Sequence, residues 1–165
     1  MGVETTGILI DEELAAMPGV PSEARLAMGK VAVIECGQQI PCNPCEDACR
    51  FGAIVIGEPL TRPPALIEDK CTGCGLCLPV CPGLAIFLVD TTYSDTEAAV
   101  SFPYEMLPQP RRGQRVQALD RAGEVVGEAR VISVQSPRRN NRTPIVTVAV
   151  PKAQAMVVRN IAWQE

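Results

Sequence analysis

Histidine is absent from all 165 residues. That removes the commonest general acid–base, the commonest nitrogen ligand for zinc, and any Ser–His or Cys–His nucleophile. An enzyme that relies on imidazole is therefore excluded. Aromatic side chains make up only 4% of the chain against 47% apolar residues, so a core must be mainly aliphatic. Long hydrophobic runs are lacking too. The longest, Leu84 to Val89, falls far short of the ~20 residues a spanning helix needs, so no membrane span is expected. The opening residues Met1-Gly2-Val3-Glu4-Thr5-Thr6 have neither the basic n-region nor the apolar stretch of a secretory signal, which leads to the expectation of a cytoplasmic chain. In that compartment thiols stay reduced, and closely spaced cysteines read as metal ligands rather than disulfides.

Cysteine itself is abundant, with eight residues, all between positions 36 and 81. Charge is unevenly spread. Residues 1–110 carry 5 basic and 15 acidic side chains, a balance of −10, whereas residues 111–165 carry 10 basic and 4 acidic, a balance of +6. Such asymmetry points to segments with different faces or partners.

Four regions follow from composition. Residues 1–30 hold two short helix candidates, Glu12–Met17 capped by Asp11 and Glu23–Met28 capped by Ser22, with Gly29 as the stop. They read as an N-terminal docking segment, serving either their own domain or a partner subunit. Residues 31–90 hold every cysteine and an internal repeat. Cys42, Cys45 and Cys49 recur 32 positions later as Cys74, Cys77 and Cys81, and Ala53-Ile54 recurs as Ala85-Ile86. Val33-Ile34-Glu35 is echoed by Leu66-Ile67-Glu68. Each half is expected to run short strand, cysteine loop, short helix, short strand. Residues 91–112, with Pro103, Pro108 and Pro110, read as a Pro-rich linker. Residues 113–165 read as a small all-β, barrel-like module with a turn at Asp120–Gly123, a bulge at Gly127, and strands over Ile145–Val150 and Met156–Ile161.

The second cysteine run is Cys71-x2-Cys74-x2-Cys77-x3-Cys81-Pro82. This is the bacterial ferredoxin spacing, in which a tight loop wraps three corners of an iron–sulfur cubane and the fourth cysteine ligates the other cluster. Gly73 and Gly75 allow that loop to curl close. The first run, Cys36-x5-Cys42-x2-Cys45-x3-Cys49, inserts three residues after its first cysteine and has Arg50 where proline is expected. Loop closure depends weakly on length, so Cys36 can still ligate. A reduced cysteine beside a buried strand can also serve as a small hydrophobe. Crossing the fourth ligands gives one cluster to Cys36, Cys42, Cys45 and Cys81, and the other to Cys71, Cys74, Cys77 and Cys49.

On these motifs, residues 31–90 resemble the two-[4Fe–4S] bacterial ferredoxin family. The resemblance implies an α+β architecture, a pseudo-twofold dicluster domain, and one-electron transfer at low potential. The run IECGQQIPCNPCEDAC, and Ile40-Pro41-Cys42-Asn43-Pro44-Cys45 within it, looks like the ferredoxin-type small subunits of FAD-dependent amino and hydroxy acid dehydrogenases. That second resemblance implies a hetero-oligomer with a larger flavoprotein subunit that carries the FAD, and a place for a further iron–sulfur subunit. No catalytic site of this chain's own is expected.

The alternatives are a free-standing soluble ferredoxin and a zinc-stabilised interaction module. Zinc sites of four cysteines use two separated Cys-x2-Cys pairs, unlike the two runs of four here. The acids Glu35, Glu46, Asp47, Glu68 and Asp69 flank the cysteines. They should disfavour adding an electron unless they form a solvated face. Arg138, Arg139 and Arg142, with Arg111, Arg112 and Arg115, make a basic loop and entrance. Trp163 is the single aromatic of residues 111–165. Stacking platforms for nucleic acid are thus missing, and docking to an acidic protein face is expected instead. Trp163 reads as a core plug or an interface anchor.

Overall fold

The computed structural model of the chain describes residues 2–135 and 142–163, so Arg138 and Arg139 lie outside the described residues. The N-terminal segment forms three short helices, α1 (Val3–Thr6), α2 (Asp11–Ala15) and α3 (Glu23–Leu26). Ser22 caps α3 as expected, its hydroxyl accepting from the Arg25 N–H at 3.2 Å. Asp11 does not cap α2 and stands in its first turn instead. The Glu13 carboxylate reaches back to accept from the Ile10 N–H at 3.0 Å and from the Val3 N–H. Helices this short need tertiary support. It comes from the cysteine segment: the Ile34 N–H donates to the Gly19 carbonyl and the Leu66 N–H to the Pro18 carbonyl, both at 2.9 Å. A Cβ on Gly19 would stand 2.7 Å from the Ile34 Cβ, so glycine permits this approach.

The cysteine segment contains β1 (Val31–Ile34), α4 (Pro44–Ala48), β2 (Ile54–Val55), β3 (Ala65–Leu66), a 3₁₀ turn at Glu68–Lys70, and β4 (Ile86–Asp90). The outer strands of the repeat pair with each other: β1 lies antiparallel to β4, with Val31 opposite Val89 and Ile34 opposite Ile86. The inner strands do the same, with Ile54 of β2 opposite Leu66 of β3. Each half therefore closes only on the other. The expected helix of the second half is replaced by successive turns over residues 76–80. Pro79 falls in this stretch, and it has no N–H to sustain a helical ladder.

Beyond the cysteines come β5 (Glu97–Pro103), β6 (Arg115–Leu119), β7 (Val125–Gln135), β8 (Ile145–Pro151) and β9 (Asn160–Ala162). They extend the β1–β4 ladder into one seven-stranded antiparallel sheet, ordered β1-β4-β5-β8-β7-β6-β9. β5 falls inside residues 91–112, the stretch read as a linker, and the structure corrects that reading. Pro103 merely ends the strand, while Ala98 to Phe102 are buried between β4 and β8. Val100 and Val148 face each other at full burial, each contributing on the order of 1.5–3 kcal/mol. In the β6–β7 hairpin Ala118 faces Gly127 and Leu119 faces Val125, so the register slips beside Gly127. β9 is shorter than the Met156–Ile161 strand read from the sequence, because residues 155–157 turn.

Side chains link the two ends of the sheet. Arg121, between β6 and β7, and Arg159, just before β9, both reach Glu35 at the end of β1. One largely aliphatic core runs from Leu26 to Ile161. No helix among the described residues is long and apolar enough to cross a membrane.

Candidate metal centre

The crossed pairing of the repeat brings the two cysteine runs against each other. One cavity is lined by Cys36, Cys42, Cys45 and Cys81, walled by Ile34, Ile56 and Ile86. A second is lined by Cys49, Cys71, Cys74 and Cys77, walled by Ala32, Ile54 and Leu88. Each cavity thus combines three thiols of one run with the last thiol of the other. All eight cysteines are free thiols. Cys45 and Cys77 are buried and Cys74 is exposed.

Several local features aim these thiols. α4 starts on Pro44, whose missing N–H costs nothing in the first turn, and it carries Cys45. In the other run Gly73 and Gly75 take positive φ values of 66° and 82°. A Cβ on Gly73 would also stand 2.6 Å from the Lys30 carbonyl oxygen. Backbone donors point at sulfur in matched positions: the Ala53 N–H donates to Cys49 Sγ at 3.2 Å and the Ala85 N–H to Cys81 Sγ at 3.4 Å. The repeated Ala-Ile of the sequence is therefore a repeated N–H···S contact. The Ala32 N–H adds a third, to Cys71 Sγ at 3.5 Å.

Electrostatics group the thiols in the same two sets. Cys45 is pushed up to about 11, first by burial and then by Cys81, with smaller contributions from Cys36 and Cys42. Cys77 is pushed up to about 12, first by burial and then by Cys71 and Cys74, with Cys49 adding to it. Cys36 is raised by burial and then by Cys81. Four thiolates crowded in an apolar cavity repel one another, and a cationic centre relieves that repulsion. Among the described residues no three cysteine, aspartate or glutamate side chains converge closely enough to hold a single metal ion. Zinc would draw its sulfurs to ~2.3 Å from one point. A cubane places its irons on separate corners, so it suits thiols that share a cavity without converging.

Residues that carried no motif in the sequence support the site. Arg25 of α3 donates to the Cys71 carbonyl at 2.7 Å and to the Glu68 carbonyl at 3.2 Å, fixing the entry to the second run. The flanking acids are largely engaged in structure. Glu46 accepts from the Ile56 N–H at 3.1 Å, Asp47 accepts from the Asn43 side-chain amide at 3.2 Å, and Glu68 binds Ser22. Glu35 is buried against Arg121 and Arg159. The basic segment spends more of its charge at home, through Arg115–Glu128 at 3.2 Å and Arg130–Glu97 at 3.0 Å. Trp163 is half-buried, and its indole N–H has no partner among the described residues.

Residues 40–85 match the family model described as a 4Fe-4S dicluster domain. Cys36 lies just before that match. Over 57 residues the chain is 44% identical to one of the subunits of the ion-translocating oxidoreductase complex of Methanosarcina acetivorans. The alignment covers 34% of this chain and 20% of that protein, so the chain spans about a fifth of its relative's length. No solved structure matches the chain. Over residues 40–85 the cysteine segment, with its two four-thiol cavities, is thus similar to 4Fe-4S dicluster domains of the ferredoxin type, and that similarity supports an iron–sulfur electron-transfer role.

Proposed function

We propose that residues 31–90 hold two [4Fe–4S] clusters by crossed ligation, and that the chain relays single electrons between redox centres of a multi-subunit oxidoreductase. Cys36, Cys42, Cys45 and Cys81 would hold one cluster, and Cys49, Cys71, Cys74 and Cys77 the other. The observation that carries this reading is the make-up of the cavities, each with three thiols of one run and the last of the other. When bound, the clusters supply one-electron chemistry. With four thiolates on each, no iron keeps the open position that substrate activation needs. The chain's own work is to fix the thiols, aim the backbone N–H groups at sulfur, and keep water away with Ile34, Ile54, Ile86 and Leu88.

The partner we propose is a larger flavoprotein dehydrogenase subunit that carries FAD, with a further iron–sulfur subunit completing a hetero-oligomer. Two observations support a docked role. The relative from Methanosarcina acetivorans is a subunit of an oxidoreductase complex. More than 100 of the 165 residues lie outside 31–90, whereas a free carrier needs only its cluster domain.

Purification without oxygen tests the first part. About eight irons and eight acid-labile sulfides per chain, with visible absorption that bleaches on reduction, are expected. Zinc without sulfide, or about half the iron, would sink it. Purification of the tagged chain from its native cells tests the second part. Flavin should co-elute at a mass above the monomer, and a flavin-free monomer would return the chain to the free-ferredoxin reading.

A further inference from the structure

Glu35, which directly precedes Cys36, is only 8% exposed. Its carboxylate accepts from Arg121 Nη2 at 2.6 Å and Nε at 2.8 Å, and from Arg159 Nε at 2.8 Å. Arg159 is itself 5% exposed, and its guanidinium stands 4.8 Å from the centroid of the Phe87 ring. One carboxylate between two guanidiniums leaves a formal charge of +1 at a site with little water to screen it.

This group faces the first cavity. Glu35, Arg121 and Arg159 line a cleft of about 540 Å³ that is also lined by Cys36, Cys42 and Cys81. Three further charges lie nearby. Glu46, next to Cys45, is engaged by the N–H of Ile56, which walls the thiol cavity. Arg62 lines the thiol cavity and is exposed. Asp120 lines the cleft, but its carboxylate is turned into its own turn, accepting from the Ala122 N–H at 2.8 Å and the Glu124 N–H at 2.9 Å. Adding an electron makes a cluster one unit more negative, so fixed positive charge beside it favours the reduced form. The expectation that Glu35 opposes reduction therefore reverses, because the structure over-compensates it.

We infer that Arg121 and Arg159, both supplied by the C-terminal β segment, act through Glu35 as tuning residues that raise the reduction potential of the cluster held at Cys36, Cys42, Cys45 and Cys81. The inference rests on the two-cluster reading above. It gives the C-terminal segment a redox role: it sets the difference between two otherwise repeat-related sites. The second cluster, whose cavity these arginines do not line, serves as the internal control.

The test uses the full chain, reconstituted without oxygen and titrated while its clusters are followed by electron paramagnetic resonance. The first-cavity cluster is identified in nuclear magnetic resonance spectra by cross-relaxation between its shifted cysteine protons and the Phe87 ring. Iron is counted first on the unsubstituted chain. Fewer than two clusters there defeats the two-cluster reading itself, before any variant is compared. With both clusters present, Arg121→Gln and Arg121→Met should each lower the midpoint potential of the first-cavity cluster and leave the other unmoved. Arg121→Lys, which keeps the charge, should restore most of the difference. No shift in either neutral variant, an equal shift of both clusters, or a lysine variant as displaced as the glutamine one would overturn the inference. Loss of the first-cavity cluster from both neutral variants would also overturn it, by assigning the pair a purely structural role.

Discussion

The two cavities are built from one repeated motif, yet the side chains that surround them differ in charge and exposure. Around Cys71 an N-terminal residue, Arg25, clamps the loop backbone, and Cys74 stays exposed beside β7 and β8. Around Cys36 the C-terminal segment adds Arg121 and Arg159 to the buried Glu35 carboxylate, in a cleft that Val3, Ile8 and Leu9 of the N-terminal segment also line. The difference teaches that a repeat fixes the ligands while the flanking segments fix the surroundings. Two sites that are near-copies in sequence acquire distinct solvent access and distinct charge.

Breaking the crossed ligation should have the largest effect. Cys49→Ser should empty or disturb the cluster at Cys71, Cys74 and Cys77 and spare the one beside its own run. Cys81→Ser should do the reverse. Iron analysis with paramagnetic resonance checks this, and about four irons per chain should remain in each variant. Damage to the cluster of the same run would show that ligation is not crossed.

Next comes the buried ion group. Glu35→Ala strands two arginines in the core and should cost about 3–5 kcal/mol in unfolding free energy, measured by denaturant titration. Arg25→Ala on the opposite side should cost less, about 1.5–3 kcal/mol, because it removes charge-assisted hydrogen bonds at a half-exposed position. Equal losses would mean that the two surroundings are less different than the geometry implies.

Thiol chemistry of the iron-free chain sharpens the same comparison. Cys45 and Cys77 sit near 11 and 12, so both are protonated at neutral pH, and iron must displace their protons. Raising the pH supplies thiolate and should favour cluster assembly, whereas lowering it should oppose assembly. Alkylation followed by mass spectrometry should modify exposed Cys74 first and Cys45 and Cys77 last, the slow rates climbing as pH rises toward those values. The smallest effect belongs to the outer surface. Arg115→Ala removes an exposed ion pair and should change stability by less than about 1 kcal/mol.

What the sequence revealed follows the range of the interactions involved. The cysteine runs are local, so they stand out as letters; the two sets of four that the ferredoxin pattern suggests are the thiols that line the two cavities. The Ala53 and Ala85 repeat was visible as letters, but its meaning as N–H···S contacts needed coordinates. β5 was hidden because alanines at its start and prolines after it mimic a connector, whereas its pairing partners lie in β4 and β8. The Glu35 contacts span 86 and 124 positions, a separation at which no periodicity or spacing rule operates. Arg121 and Arg159 therefore read only as parts of a basic segment.

The exchange of strands and thiols between the two halves also dictates an order of events during synthesis. The cavity at Cys71 has its full set of sulfurs only once Cys77 has emerged from the ribosome, and the cavity at Cys36 only once Cys81 has. The nascent first half, however long it waits, offers iron an incomplete seat. On the crossed ligation proposed above, neither cluster would be seated before most of the second run is translated, and a chain truncated before Cys77 would leave both cavities short of sulfur.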